Sequence, residues 1–249
     1  MQLARRILMA AMGGVMFASL AAAAPVREEH VTGGVLDLPW LNGYAVSANM
    51  QPLTLLPADP GYANPSGDHT VACATSMPMD SGGIILTAID PAGLSDYIWE
   101  AKIFTGDGNS RRGLVVRADP TVGFEKSYQF VIQSGLFLIN FRKLAGLSPV
   151  TLGTWFATDL PAGVLPANTW HHMKVMAVGD MFRCYIDDFE LTTTPIVDGD
   201  LSTGWVGVYN FRFDVGQIPF YTDDLLLNAA GPTPTSTTSW GRVKTLYRR

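Results

Sequence analysis

From Thr70 onward the sequence is a succession of short apolar segments separated by turn-forming residues. About ten such segments follow one another as far as Leu227, with Gly, Pro, Asn or Asp between them. In Tyr128–Ile132 the large apolar side chains alternate with other residues, as they do when one face of a strand is buried. After the N-terminal segment no long stretch shows a helical period. The sequence therefore predicts an all-β, antiparallel β-sandwich.

The composition supports a folded domain and limits its partners. Hydrophobic residues make up 47% of the 249 residues and charged residues 16%, so the chain can bury a sizeable core. The 25 glycines and 16 prolines suit many short strands joined by turns. The net charge of −5 argues against a general nucleic-acid-binding protein, which would carry a basic excess.

Residues 1–24 have the three parts of a secretory signal peptide. Arg5 and Arg6 precede the apolar run Ile7–Leu20, and Ala21–Ala24 supplies the small residues that a signal peptidase needs. The alternative is a membrane anchor, but the apolar run is short for a bilayer core of about 30 Å. We therefore expect a protein that is secreted or held at the cell surface, without an integral membrane span.

Composition divides the rest of the chain into four parts. Residues 25–32 are polar and are expected to be flexible, whereas residues 33–229 are expected to form a single β-sandwich. Residues 230–239 are rich in Pro, Thr and Ser and predict a linker. Residues 240–249 carry four basic side chains and no acidic one. This tail is either a disordered terminus or a signal read by a sorting or attachment system.

The two cysteines, Cys73 and Cys184, lie in separate strand-like segments. In an exported protein two cysteines tend to pair, and a disulfide closing so long a loop would stabilise the fold by roughly 4–5 kcal/mol. The alternative is two buried free thiols that serve as small apolar core residues. We expect the disulfide.

Four pieces of sequence occur in order between Tyr97 and Asn228. They are Asp96–Ile103, Arg112–Asp119 with Ser127–Phe130, Asn168–Val175 with Met181–Asp188, and Gly204–Tyr209 with Tyr221–Leu227. In this order and spacing they resemble the concanavalin A-like lectin and glucanase superfamily. The resemblance is greatest to its laminin-G-like and 3-keto-disaccharide hydrolase-type modules of secreted bacterial proteins. It implies a jelly-roll sandwich, a fold that hosts lectins, hydrolases and adhesion modules alike.

A glycoside hydrolase on this fold would need two carboxylates that face one groove. The nearest run is Asp187–Glu190, in which Asp188 and Glu190 would share a face, but a charged hairpin end is the simpler interpretation. His171 and His172 point to opposite faces of a strand and cannot chelate one metal ion together. We therefore assign no catalytic residues.

We expect a carbohydrate-binding or adhesion module whose partner is an extracellular glycan or a cell-surface component. The alternatives are a glycoside hydrolase on the same fold and a structural cell-surface protein without a sugar ligand. Glycan binding needs planar hydrogen-bonding groups and exposed aromatic rings. The candidate ligand-binding residues are Arg117, Tyr128, Gln129, Arg142 and Trp155. The first four lie on three consecutive strand-like segments, whereas Trp155 lies in a loop-like run; the arginines would otherwise form ion pairs with Glu100 or Glu125.

The resemblance also implies a structural Ca²⁺, bound by an acid near the last strand and by loop oxygens. Asp223 and Asp224 match that position, and Asp37 or Asn42 would complete the coordination shell. Oxygen ligands from distant loops suit a hard cation. Alternatively, one of the two aspartates faces solvent and nothing binds.

Overall fold

The computed structural model describes residues 25–42, 50–75, 84–106, 110–146, 148–212 and 219–230. In these residues sixteen strands form two antiparallel sheets that enclose the hydrophobic core between them. Four single-turn 3-10 helices connect strands: Thr32–Gly34, Pro120–Val122, Ser134–Leu136 and Ala157–Asp159. Within the described ranges, none of the helices has the length and apolar character to span a bilayer.

One sheet contains nine of the strands. They are β1 (Arg27–Glu29), β3 (Met50–Thr54), β4 (Thr70–Thr75), β6 (Tyr97–Phe104), β11 (Trp170–Val178), β12 (Met181–Ile186), β13 (Phe189–Glu190), β14 (Ile196–Val197) and β16 (Pro219–Ala229). The spatial order is β13-β12-β11-β6-β16-β4-β3, with β1 paired to β16 and β14 paired to β12.

The other sheet contains the remaining seven strands. They are β2 (Leu41–Asn42), β5 (Ile84–Ile89), β7 (Ser110–Ala118), β8 (Lys126–Gln133), β9 (Leu138–Ala145), β10 (Ser148–Phe156) and β15 (Trp205–Arg212). The spatial order is β10-β9-β8-β7-β15-β5-β2. The predicted antiparallel sandwich is confirmed.

The core lies between the sheets because alternate residues of each strand point inward. From β8 the inward set is Tyr128, Phe130 and Ile132, as the alternation predicted. Trp99 of β6 is fully buried, and its indole Nε1 donates a hydrogen bond of 2.8 Å to the carbonyl of Gly207. This bond joins the two sheets, because Gly207 lies in β15 of the opposite sheet.

The N-terminal boundary of the sandwich differs from the predicted one. Residues 25–32 were expected to be flexible, yet Arg27–Glu29 forms β1 and pairs in register with Leu225–Leu227 of β16. The carboxylate of Glu29 is buried and accepts four N–H groups, from the backbone of Val31, Asp37 and Leu38 and from the Trp40 indole. A polar sequence thus joins the domain because its charge is fully hydrogen-bonded.

The predicted Cys73–Cys184 disulfide is wrong, because both cysteines are free and buried. Cys73 lies in β4 and Cys184 in β12, which are four inter-strand steps of about 4.8 Å apart in one sheet, or roughly 19 Å. A disulfide needs Cα atoms within about 7 Å. The two side chains also face opposite sides of the sheet: Cys184 belongs to the central core and Cys73 to a separate cluster with Leu55 and Phe104.

Candidate functional site

The seven-stranded sheet has a second face, directed away from the core, which we call the outer face. It is formed by the outward residues of β7, β8, β9 and β15. These are Arg111, Gly113 and Val115 of β7; Ser127, Gln129, Val131 and Gln133 of β8; Asn140, Arg142 and Leu144 of β9; and Trp205, Gly207, Tyr209 and Phe211 of β15. Amide, guanidinium and aromatic groups thus lie side by side on one surface.

Gln129, Arg142 and Tyr209 form the centre of the outer face. Gln129 and Arg142 are directly opposite each other in neighbouring strands, and Arg142 Nε donates a hydrogen bond of 2.9 Å to Gln129 Oε1. The Arg142 guanidinium carbon lies 4.9 Å from the centre of the Tyr209 ring, within the range of a cation–π interaction. Gln129 is 0% exposed and Arg142 5% exposed, so the packed neighbours hold both groups in place.

Further polar pairs flank this centre. Asn140 Nδ2 donates to the hydroxyl of Thr154, an exposed residue of the edge strand β10, at 3.1 Å. Arg111 Nη2 donates to Gln133 Oε1 at 3.3 Å. Burial, together with the neighbouring positive charge of Arg142, lowers the pKa of Arg111. Two guanidinium groups therefore lie close enough on the outer face to influence each other.

Aromatic side chains line one end of the outer face. Trp205 is half-buried and lies 5.7 Å from Phe124, measured between ring centres. It also lines a cleft of about 340 Å³ formed with the loops around Asp90, Pro120 and Gly204. The alternation of β15, with Val206 and Val208 inward, puts Trp205 outward.

Two of the five predicted ligand-binding residues, Gln129 and Arg142, lie on the outer face. Arg117 does not, although it lies in β7. It has a positive φ of 53°, and the register with β15 shifts nearby, so the side chain turns away from the outer face. Its guanidinium is buried, donates to the carbonyls of Leu201 and Gly179, and stacks on Phe182. Arg117 is therefore a structural residue.

Tyr128 also faces the core. Its hydroxyl donates to the carboxylate of Asp198 at 2.5 Å and accepts the N–H of Leu201 at 3.2 Å. Burial and the hydrogen bond to Asp198 raise the pKa of Tyr128 to about 12. The tyrosine therefore anchors the loop around residue 200 and is not available to a ligand on the outer face.

Trp155 lies in a strand rather than in a loop, and it too points inward. It pairs with Ile139 of β9 and meets the Phe130 ring edge-on, with ring centres 6.5 Å apart. β10 is an edge strand with a register shift between Thr151 and Gly153, and such a strand tolerates Pro149 and Gly153.

The carboxylates that came closest to a catalytic pattern are held by basic partners. Asp187 and Asp188, both with positive φ, form the turn between β12 and β13, as the charged-turn interpretation predicted. Glu190 is paired with Arg183. Glu100 lies on the nine-stranded sheet, where an arginine was the expected partner.

The partners of Glu100 are His172 and Asn228 instead. His172 Nε2 lies 3.0 Å from Glu100 Oε2, and Asn228 Nδ2 donates to Glu100 Oε1 at 3.1 Å. The hydrogen bond from His172 lowers the pKa of Glu100, although burial opposes this. Neither arginine that was considered as an ion-pair partner, Arg117 or Arg142, contacts Glu100 or Glu125 within the described residues.

A second cavity, of about 320 Å³, contains His171. His171 Nδ1 lies 2.8 Å from Asp187 Oδ2, and burial leaves its Nε2 without a hydrogen-bond partner. The remaining lining residues are Leu160, Pro161, Ala162, Val164, Pro166, Ile186 and Phe189. None of these side chains is a nucleophile that the Asp–His pair would activate.

The described aspartates of the expected calcium site are hydrogen-bonded to other groups. Asp223 is buried and accepts N–H groups from Asn64 and from the backbone of Ser66 and Asp224. Burial raises the pKa of Asp223. Its oxygen atoms are already used by N–H donors, which a metal ion would have to displace.

Asp224, in contrast, faces His30, whose Nδ1 lies 3.2 Å from Asp224 Oδ1. Asp37 accepts the backbone N–H groups of His30 and Thr32, and the side chain of Asn42 lies outside what the structure describes. No group of three or more His, Cys, Asp or Glu side chains in the described residues is arranged to hold a metal ion. In the described residues the aspartates of the predicted calcium site are therefore bound to other groups, and calcium binding stays a prediction.

Comparison with known proteins gives structural but not sequence relatives. No protein-family model and no curated protein sequence matches this chain. Among solved structures, the carbohydrate-binding module CBM66 from Bacillus subtilis superposes with a TM-score of 0.52 at 18% identity, covering 77% of this chain and 96% of the module. The cellulose-induced protein Cip1 gives a TM-score of 0.53 at 12% identity, covering 81% of this chain and 96% of Cip1.

A third structure, the catalytic domain of an endo-1,3-β-glucanase (laminarinase) from Thermotoga petrophila, gives a TM-score of 0.50 at 11% identity. It covers 83% of this chain and 98% of that domain. Identities this low show the fold and leave the function open. The chain has the concanavalin A-like, galectin-like jelly-roll fold.

Proposed function

We propose that this chain is an exported, non-catalytic carbohydrate-binding β-sandwich and that its outer face holds the sugar. The observation that carries the proposal is the set Gln129, Arg142 and Tyr209, in which an amide and a guanidinium are hydrogen-bonded together beside an aromatic ring. Sugars present adjacent hydroxyl groups to such planar donors and acceptors, and their C–H faces stack on aromatic rings.

The surroundings of this set also suit a sugar. Thr154 and the half-buried rings of Trp205 and Phe211 lie on the same face, at its accessible margin. A rigid, polar floor with aromatic margins orients a ligand at low entropic cost, because the floor needs no rearrangement on binding. The fold-level likeness to a carbohydrate-binding module supports the same proposal.

The arrangement of carboxylates supports the non-catalytic part of the proposal. Hydrolysis of a glycosidic bond requires two carboxyl groups on either side of the bond. Every outward position of β7, β8, β9 and β15 that the structure describes is occupied by a residue other than Asp or Glu. A sugar on the outer face would therefore meet no acid–base pair from these strands.

The proposed function is tested by screening the purified full chain on an array of neutral and charged glycans. We expect binding, and we expect Trp205→Leu to weaken it by about tenfold, equal to about 1.4 kcal/mol. Trp170→Leu is the matched control, because Trp170 is half-buried on the outer side of the other sheet. An array without any binding, or equal losses in both variants, would refute the proposed site.

The same experiment, run with Ca²⁺ and with a chelator, tests the calcium prediction. From the geometry of Asp223 we expect equal affinity in both conditions. Export is a separate part of the proposal, supported by the signal-peptide pattern of residues 1–24, which lie outside the described residues. It predicts that the exported protein begins near residue 25, which intact-mass measurement would establish. Residues 240–249 also lie outside the described residues, so a role of this tail as a sorting or attachment signal stays a prediction.

A further inference from the structure

Arg142 is a buried cation without an acidic partner. It forms no ion pair within the described residues, and its one hydrogen bond, from Nε, goes to the neutral amide of Gln129. Burying a guanidinium is costly unless its charge is paired or strongly hydrogen-bonded. The Tyr209 ring offsets only part of this cost, because a cation–π contact contributes about 0.5–2 kcal/mol.

The terminal nitrogens of Arg142 remain available to a ligand. The buried side-chain atoms without a partner include nitrogens of Arg117 and Asn210 but none of Arg142. The Nη atoms of Arg142 make no hydrogen bond within the described part of the chain. Because they are not among the fully buried atoms without a partner, they are open to solvent. With Nε already bonded to Gln129, the two Nη atoms offer four N–H donors in one plane, which match two oxygens of a carboxylate or a sulfate.

The described outward strand positions around Arg142 carry basic side chains and no acidic one, although the whole chain is negative. These positions include a second guanidinium, Arg111. The pKa of Arg111 is lowered by burial and by the charge of Arg142, so the two cations share one region. The net charge of −5 disfavours unspecific binding of anions elsewhere on the chain.

We propose that the glycan bound by the outer face is anionic and that Arg142 pairs with its carboxylate or sulfate group. The inference rests on the proposed function and adds the class of ligand to it. A carboxylate at this position would pair the buried charge through two parallel N–H···O bonds, an interaction that a neutral hydroxyl cannot replace. The ligand charge then determines which sugars bind, while Trp205 and Thr154 contact the neutral parts of the glycan.

The experiment compares sugars that differ only in charge. The probes are oligogalacturonate and its carboxyl-reduced counterpart, and dextran sulfate and dextran, measured by titration calorimetry with the purified full chain. We expect at least one acidic member to bind about tenfold or more tightly than its neutral counterpart, with an affinity that falls as salt is added. The two pairs distinguish a carboxylate from a sulfate ligand.

Two test variants and one control locate the preference. Arg142→Gln should remove it, whereas Arg183→Gln, which deletes the same charge from the other sheet, should leave it intact. Gln129→Glu keeps the guanidinium and the packing but supplies an internal carboxylate to Arg142, so it should remove the preference even if Arg142→Gln does not fold.

The outcomes separate the two proposals. Equal binding of acidic and neutral members by the wild-type chain would overturn the anionic ligand and leave carbohydrate binding in place. A preference that persists in Gln129→Glu would also overturn it, because the anion would then bind elsewhere. If none of the four probes and no arrayed glycan binds, the proposed function itself fails.

Discussion

Arg117 shows how a single residue can look like a ligand-binding group and yet hold the fold together. Its guanidinium is completely buried and donates to the carbonyl oxygens of Leu201, Gly179 and Ser95. Those carbonyls belong to three separate connections between strands. One side chain therefore ties together segments that are distant in sequence, and its charge is dispersed over their dipoles and the Phe182 ring.

We expect Arg117→Met to lower the free energy of unfolding by about 3 kcal/mol, because buried carbonyl acceptors lose their donors at about 1–3 kcal/mol each. Urea denaturation measures this. Arg183→Met is the control, since Arg183 is partly exposed and its loss should cost about 1 kcal/mol or less. An equal loss in the free energy of unfolding in the two variants would show that the buried hydrogen bonds of Arg117 add no more stability than an exposed arginine does.

At the scale of elements, the loop after β14 is fastened to the seven-stranded sheet by Asp198. Its carboxylate accepts hydrogen bonds from Lys143 of β9 and from the hydroxyl of Tyr128 of β8. Because β14 itself belongs to the nine-stranded sheet, Asp198 connects the two sheets at this edge. Burial alone would raise its pKa, but the bonds from Lys143 and Tyr128 outweigh burial and lower it.

A lowered pKa predicts a pH dependence with a definite sign. The stability that Asp198 contributes is fully present above its unfolded value of 3.8 and is lost as the pH falls through the lower folded value. We expect Asp198→Asn to destabilise the chain by about 1–2 kcal/mol at pH 7 and by progressively less below about pH 4. Urea unfolding at several pH values measures this.

Asp200→Asn is the matched control for Asp198, because Asp200 binds the same lysine from an exposed position. It should change the free energy of unfolding by less than about 0.5 kcal/mol at pH 7. A difference between wild type and Asp198→Asn that stays constant down to pH 2 would contradict the role of the ionised carboxylate.

The positions of β4 and β12 make a prediction about the thiols. Burial raises the pKa of Cys73 to about 12 and that of Cys184 well above its usual value, so neither is a reactive thiolate in the folded chain. We expect alkylation to be negligible in the native state and to label both cysteines after unfolding without reductant. A single mass matching an intramolecular disulfide would contradict the strand order.

At the scale of the whole molecule, the sandwich is completed by a segment that precedes its apparent start. β1 adds its hydrogen bonds to β16, and Glu29 accepts the N–H groups of the turn that follows. The chain between Arg27 and Trp40 is thereby folded onto the nine-stranded sheet. The first part of β16, Pro219–Thr222, pairs with β4, and β1 supplies the partner for Leu225–Leu227.

We therefore expect a chain that starts at residue 33 to be less stable than one that starts at residue 25. The loss of β1 and of the Glu29 hydrogen bonds should cost about 3 kcal/mol, or a fall in Tm of about 6 °C or more for a domain of this size. Calorimetry measures both. Glu29→Ala should reproduce much of the loss, and Glu28→Ala, an exposed neighbour, should not.

The alternation of apolar residues was sufficient to predict the architecture. A strand with one buried face must repeat every two residues, so the inward set of β8 and the two-sheet sandwich could be inferred from the sequence alone. The outward position of Gln129 followed from the same period. β10 was not predicted as a strand. Its Pro149 is tolerated because β10 lies at a sheet edge, and edge position is not a local property of the sequence.

Tertiary structure alone decided which side chains meet. Arg117 and Arg142 have the same chemistry and the same strand context, but a backbone bulge turns one into the protein and leaves the other on the outer face. Cys73 and Cys184 are two cysteines that could pair, but their strands lie four inter-strand steps apart in the sheet. Local periodicity gives the direction of a side chain where the strand is regular, but a bulge reverses it at Arg117. The partners of a side chain depend on strand order and register, which are set by contacts between distant segments.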